Sequence, residues 1–188
     1  MTHVILFHHA QGLTEGVAEF AQRLRDAGHD VVVPDLYDGL IFDTIDAGVA
    51  HAEKTGFDTI IERGERAADT MPLDTVYAGF SLGTLPAQKL AQTRGGARGA
   101  ILFHGGVPAA MFGSDWPATV ALQLHVTAED EWIELLEVEQ LAEDAGAAEL
   151  FIYPGSAHLV ADSSLNEYDE EIAELILARA IAFLDRLA

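Results

Sequence analysis

Short apolar runs punctuate the chain at residues 4–7, 31–33, 75–78, 100–103, 120–126 and 150–153. Most are apolar at successive positions, the pattern of strands covered on both faces in a parallel sheet. The segments between them repeat apolar residues at helical spacing. Val17, Phe20, Ala21 and Leu24 form one stripe, with Thr14 placed to cap its start and Gly28 to end it. Ile60, Ile61, Ala67 and Ala68 share a face within 58–70, and a further helix is expected over 82–93. Ile133, Leu136 and Leu141 mark another over 132–145, ending at Gly146. The last stripe runs Ile172, Ile176, Ala180, Phe183, Leu184 and Leu187, and Ser164 with Glu167 has the spacing of a capping box.

Strand and helix patterns alternate along the whole chain. That predicts a single α/β domain over residues 1–188, with about six mostly parallel strands and helices on both faces. In such a sheet, ligands bind beyond the carboxyl ends of the strands. Residues near 8–12, 35–38, 80–82, 104–106, 127–132 and 154–160 are therefore expected along one edge. Two connections, 36–57 and 104–119, are long and irregular. Their Tyr37, Phe112 and Trp116, with His8, His104 and Trp132 at the same edge, are candidates for a substrate pocket. The alternative for the apolar members is cover for the core.

Composition removes several classes of function. The net charge is −21, with only Lys54 and Lys89 as lysines, which disfavours nucleic acid and anionic membranes. No apolar run approaches the ~18 residues that span a bilayer. The opening "MTHVILFHHA" has no basic segment and runs straight into a strand pattern, which argues against a secretory leader. There is no cysteine, so thiolate and disulfide chemistry are excluded. The expectation is a soluble cytoplasmic protein acting on a small molecule. Adjacent His8 and His9 point opposite ways on an extended stretch and are not expected to share a metal. "HHAQGLTEG" lacks Gly-x-Gly-x-x-Gly, which weakens a Rossmann-like nucleotide-binding reading based on Asp35.

The candidate chemistry lies in "VYAGFSLGTLP", residues 76–86. Gly-x-Ser-x-Gly between a strand and a helix describes a tight turn that presents a serine, here Ser81, at a helix N-terminus. Acyl transfer by serine also needs a base, an acid that orients the base, and N–H donors for the oxyanion. Asp130 follows the 120–126 run in "AEDEW", and His158 follows the 150–153 run in "GSAH". The order Ser, Asp, His suits the α/β-hydrolase arrangement. Glu129 and Glu131 compete with Asp130 for the acid. A binding protein on the same scaffold, with these residues misaligned, is the rival from another class.

These segments resemble the dienelactone hydrolase family. "VVVPDLYDG" is similar to the family's strand ending in Pro-Asp-Leu-Tyr, "GFSLG" to its nucleophile turn, "AEDEW" to its acid loop and "GSAH" to its histidine loop. The resemblance covers nearly the whole chain and its spacings. It implies a minimal α/β hydrolase without a separate lid domain. Ser81, Asp130 and His158 would form the triad, and the backbone N–H of Leu82, with that of His9 or Ala10, would form the oxyanion hole. No cofactor or metal is implied. Two departures bear on substrate. Serine replaces the cysteine of the best-known members, and His9 replaces the glutamate that switches it. Asp162 stands four residues after His158, where members binding anionic lactones carry arginine. The expected substrate is a neutral ester, lactone or thioester.

Overall fold

Alternation along β1 (His3–Phe7) decides how the layers assemble. The computed structural model describes all residues, 1–188. Val4 and Leu6 point to one face of the sheet, and Ile5 and Phe7 to the other. Both sets are fully buried, because helices cover both faces. The other strands are β2 (Asp30–Val32), β3 (Val76–Phe80), β4 (Gly99–Phe103), β5 (Ala121–Thr127) and β6 (Glu149–Tyr153). They form one sheet in the order β2-β1-β3-β4-β5-β6, and every pair is parallel. Strands β3 and β4 lie inside it and are buried throughout, whereas the edge strands β2 and β6 are not.

Helices α1 (Glu15–Asp26) and α6 (Glu170–Arg186) cover the Val4 face. Phe20, Leu24, Ile176 and Leu184 pack there with Ala78 and Ile101. The opposite face carries α2 (Ile45–Thr55), α3 (Phe57–Ala68), α4 (Thr84–Thr93) and α5 (Leu135–Asp144). Ala52, Ile60, Leu90 and Leu141 pack there with Tyr77 and Leu102. Thr14 caps α1 as its sequence predicts, its side chain accepting from Val17 N–H at 3.3 Å.

Three local expectations change. Residues 45–55 are helical rather than an irregular link, and Thr44 caps them. Gly48, a poor helix former, obscures this helix in the sequence. In the fold, a Cβ at Gly48 would lie 2.1 Å from the Ala10 carbonyl oxygen, so only glycine lets α2 approach the first loop. The box of Ser164 and Glu167 does not cap α6. That helix starts at Glu170, and Asp169 caps it by accepting from Ile172 N–H at 3.0 Å. Helix α5 starts at Leu135 and leaves Trp132 in the preceding turn.

Candidate active site

Two close approaches shape the turn after β3. A Cβ on Gly79 would lie 2.1 Å from the Gly83 oxygen, and one on Gly83 would lie 2.5 Å from the Phe7 oxygen and 2.6 Å from that of His8. Glycine at both positions lets the turn fold tightly against the end of β1. Between them Ser81 takes φ 48°, in the left-handed region that other residues seldom occupy. A short 3₁₀ turn, Ser81–Gly83, leads into α4, and Thr84 Oγ1 ties the turn by donating to the Ser81 oxygen at 2.6 Å.

His158 arrives from the loop after β6, and Asp130 from the loop after β5. His158 Nε2 lies 2.7 Å from Ser81 Oγ, and Nδ1 lies 2.6 Å from Asp130 Oδ2. A carboxylate only accepts, so Nδ1 carries the proton and Nε2 is free to accept from the serine hydroxyl. The other Asp130 oxygen accepts from Trp132 N–H at 2.9 Å. Glu129 and Glu131 are exposed, and Asp130 alone of the three neighbouring acids meets the imidazole.

The loop after β1 packs behind the serine. His8 is fully buried, with Nδ1 donating to the His9 oxygen at 2.8 Å and Nε2 accepting from Leu36 N–H at 2.9 Å. Burial pushes its pKa down to about 4, so it stays neutral and pins this loop to the segment after β2. The backbone N–H groups of His9 and Ala10 donate to no other group of the chain.

The six expected pocket residues divide. Trp132 is exposed, with its ring 6.3 Å from that of His158. With Glu131, Ser156 and Glu167 it lines a cleft of about 420 Å³ at His158. Phe112 lines a separate apolar groove of about 470 Å³ with Phe57, Ile61, Leu85 and Met111. The other four are interior, which corrects the expectation for them. His8 is structural, as described above. Tyr37 is buried edge-on to the rings of His8 and His51. Trp116 is in the core, its indole donating to the Val120 oxygen at 2.8 Å. His104 lies behind His158, 6.1 Å between ring centroids, and neither of its ring nitrogens has a protein partner. Burial, with His158 beside it, holds the His104 pKa well below the usual histidine range.

Asp162 is also interior and does not confront a substrate. It is 2% exposed. Its oxygens accept from His9 Nε2 at 2.7 Å, Thr14 Oγ1 at 2.5 Å, and Ser164 N and Oγ at 2.9 and 2.6 Å. Burial raises its pKa, but the hydrogen bonds from His9, Ser164 and Thr14 together outweigh that and leave it lowered. The sequence reading missed the role of Glu167, whose carboxylate takes the backbone N–H of both His158 and Leu159. Its spacing from Ser164 resembles a helix cap, and nothing local reveals the longer-range partner. No group of three or more His, Asp or Glu side chains is arranged to hold a metal.

The sequence model of the dienelactone hydrolase family matches residues 1–188. The chain belongs to the dienelactone hydrolase family. Solved structures agree on its fold. A dienelactone hydrolase-like promiscuous phosphotriesterase, P91, from metagenomic libraries is 18% identical and superposes with a TM-score of 0.78, covering 100% of this chain and 87% of that one. A dienelactone hydrolase described from Klebsiella pneumoniae is 18% identical, with a TM-score of 0.71 and coverage of 99% and 87%. A hydrolase of the α/β superfamily from Xanthomonas campestris is 20% identical, with a TM-score of 0.65 and full coverage of both chains. No curated protein matches the sequence. Family membership makes the protein a hydrolase of ester bonds. No helix is long and apolar enough to cross a membrane.

Proposed function

We propose that the protein is a serine hydrolase that cleaves small neutral carboxylic esters, lactones or thioesters through an acyl-serine intermediate. The observation that carries this reading is the unbroken hydrogen-bond path Ser81 Oγ–His158–Asp130, with Ser81 on a strained turn. Ser81 Oγ bonds to the acyl carbon as its proton passes to His158 Nε2, and the carbonyl electron pair moves to oxygen. Leu82 N–H, in the 3₁₀ turn before α4, and the N–H of His9 or Ala10 receive that oxyanion. Collapse breaks the bond to the alcohol or thiol, which takes the proton from Nε2. Water then attacks the acyl-serine with Nε2 as base, and the acid leaves as Ser81 regains its proton. Asp130 keeps the imidazole in the needed tautomer throughout.

Charge supports a neutral substrate, though not through Asp162. Glu131 and Glu167 line the cleft at His158, and Glu15, Asp43 and Glu167 line the one beside it; neither is lined by Lys or Arg. An anionic substrate meets these carboxylates on a chain of net charge −21. We propose a cytoplasmic location, with which a chain without cysteine is compatible.

Three measurements test the reading. Ser81→Ala should lower turnover of a small activated ester by roughly 10⁴-fold or more. A fluorophosphonate should label Ser81 and no other residue. Full activity in Ser81→Ala would remove the assignment. A panel of neutral and anionic esters, lactones and thioesters should show preference for the neutral ones.

A further inference from the structure

We propose that the buried His9–Asp162 hydrogen bond is a positioning bridge that holds the oxyanion loop in register with the loop of the catalytic base. The inference rests on the serine-hydrolase reading above. His9 and Asp162 are 153 residues apart in sequence, yet Nε2 and Oδ2 meet at 2.7 Å with both side chains almost wholly buried. His9 belongs to the loop after β1 that offers the second oxyanion N–H. Asp162 lies four residues beyond the base, and its own N–H donates to the Leu159 oxygen at 3.1 Å. One side-chain contact therefore joins the two loops that must converge on Ser81.

The hydrogen bonds leave the ring little freedom. His9 Nδ1 accepts from Gln11 N–H at 3.2 Å, so it carries no proton, and Nε2 donates to Asp162. Gly12 N–H and His8 Nδ1 both donate to the His9 carbonyl, which ties the main chain at the same residue. Asp162 is anchored in turn by Thr14 at the start of α1 and by Ser164. Ion pairs and charged hydrogen bonds of this kind give little net stability, because desolvation offsets their attraction. Their geometric effect is larger. Oxyanion donors act only within a few tenths of an ångström of the developing charge.

His9→Leu leaves the backbone N–H in place and removes the bridge, together with the ring acceptor of Gln11 N–H. Rates are taken per site titrated with fluorophosphonate, so that loss of folded protein does not count. For a small neutral ester we expect kcat to fall ten- to a hundred-fold with KM changed less than threefold, the mark of a loss confined to the transition state. His9→Gln keeps an N–H within reach of Asp162 and should recover most of that loss. His9→Leu with Asp162→Leu strands no buried charge and should show the same fall in kcat. In the wild-type enzyme, ¹⁵N imidazole spectra should show His9 protonated at Nε2 and bare at Nδ1. Three results overturn the bridge: kcat within threefold of wild type in either leucine variant, a His9→Gln variant as slow as His9→Leu, or a wild-type His9 protonated at Nδ1. The spectrum decides the matter if the leucine variants do not fold. Activity in Ser81→Ala, measured in parallel, would instead remove the reading on which the bridge rests.

Discussion

The carboxylate of Glu167 accepts the backbone N–H of His158 at 2.8 Å and that of Leu159 at 3.1 Å. His158, the proposed base, is thus held at its main chain by a residue outside the proposed triad. Asp130 aligns the ring, and Glu167 aligns the peptide that carries it.

Removing that carboxylate should misplace the base. Glu167→Ala leaves two N–H groups unpaired in a partly buried loop, which costs about 1–3 kcal/mol. We expect a lower melting temperature and kcat reduced about tenfold, a misplacement effect rather than loss of a reacting group. Glu167→Gln keeps one acceptor oxygen and should lie nearer wild type in both measurements. Equal loss in the two variants would show that charge, not hydrogen bonding, is what matters.

The acid should be Asp130 and not its neighbours. Asp130→Asn should lower kcat by about 10³–10⁴-fold, since an amide permits the wrong imidazole tautomer. Glu129→Gln and Glu131→Gln alter exposed side chains and should stay within about threefold. The ranking of the three in one ester assay checks this, and an inverted order would move the acid.

Strain at Ser81 should appear as stability on its removal. At φ 48°, a side chain costs about 1–2 kcal/mol that glycine does not. Ser81→Gly and Ser81→Ala should both be inactive, with the glycine variant about 1 kcal/mol the more stable by urea unfolding. An alanine variant as stable as the glycine one would show that the turn is relaxed.

Buried histidines should make the fold acid-sensitive before most carboxylates titrate. Burial is the main cause that holds His8 at about 4 and His125 at about 3. Below the unfolded value of 6.5, the unfolded chain binds protons at these sites that the native state refuses. Stability therefore falls as pH drops from about 6.5 toward 4, by at most about 1.4 kcal/mol per pH unit for each histidine. Above about pH 7 both states are neutral and the contribution vanishes. Relief of repulsion on a chain of net charge −21 acts in the opposite sense, so the measurement needs a control. Denaturation midpoints from pH 7.5 to 4.5 in wild type and in His8→Asn with His125→Gln provide it. The variant should show a shallower slope, with the share of His104 remaining; parallel profiles would exclude His8 and His125 as a source.

The six strands, their parallel sense and most helices are legible in the sequence because they depend on local pattern. A run such as 100–103, apolar at every position, has no solvent face, and Thr14 caps the helix it precedes. The turn at Ser81 is legible for a related reason: its Gly-x-Ser-x-Gly pattern is local, although the close approach at Gly83 is to Phe7 and His8. Helix α2 is hidden because the packing of Gly48 on Ala10 outweighs a poor intrinsic propensity. Ser164 and Glu167 mislead because Ser164 bonds to Asp162 and Gly16, and Glu167 to the main chain of His158 and Leu159, and neither bonds to the helix start they resemble.

The sequence by itself determined the class of fold, the place of Ser81 on its turn and the Ser, Asp, His order, since these follow from periodicity, turn chemistry and spacing. Tertiary structure decided which of three adjacent acids meets His158. It turned His8, Tyr37, His104 and Trp116 inward, made Asp162 a buried partner of His9, and gave Glu167 the main chain of His158. Each of these depends on groups brought together from distant parts of the chain. Hydrogen bonds 2.6–2.8 Å long link residues 9 to 153 positions apart, and no local pattern records them.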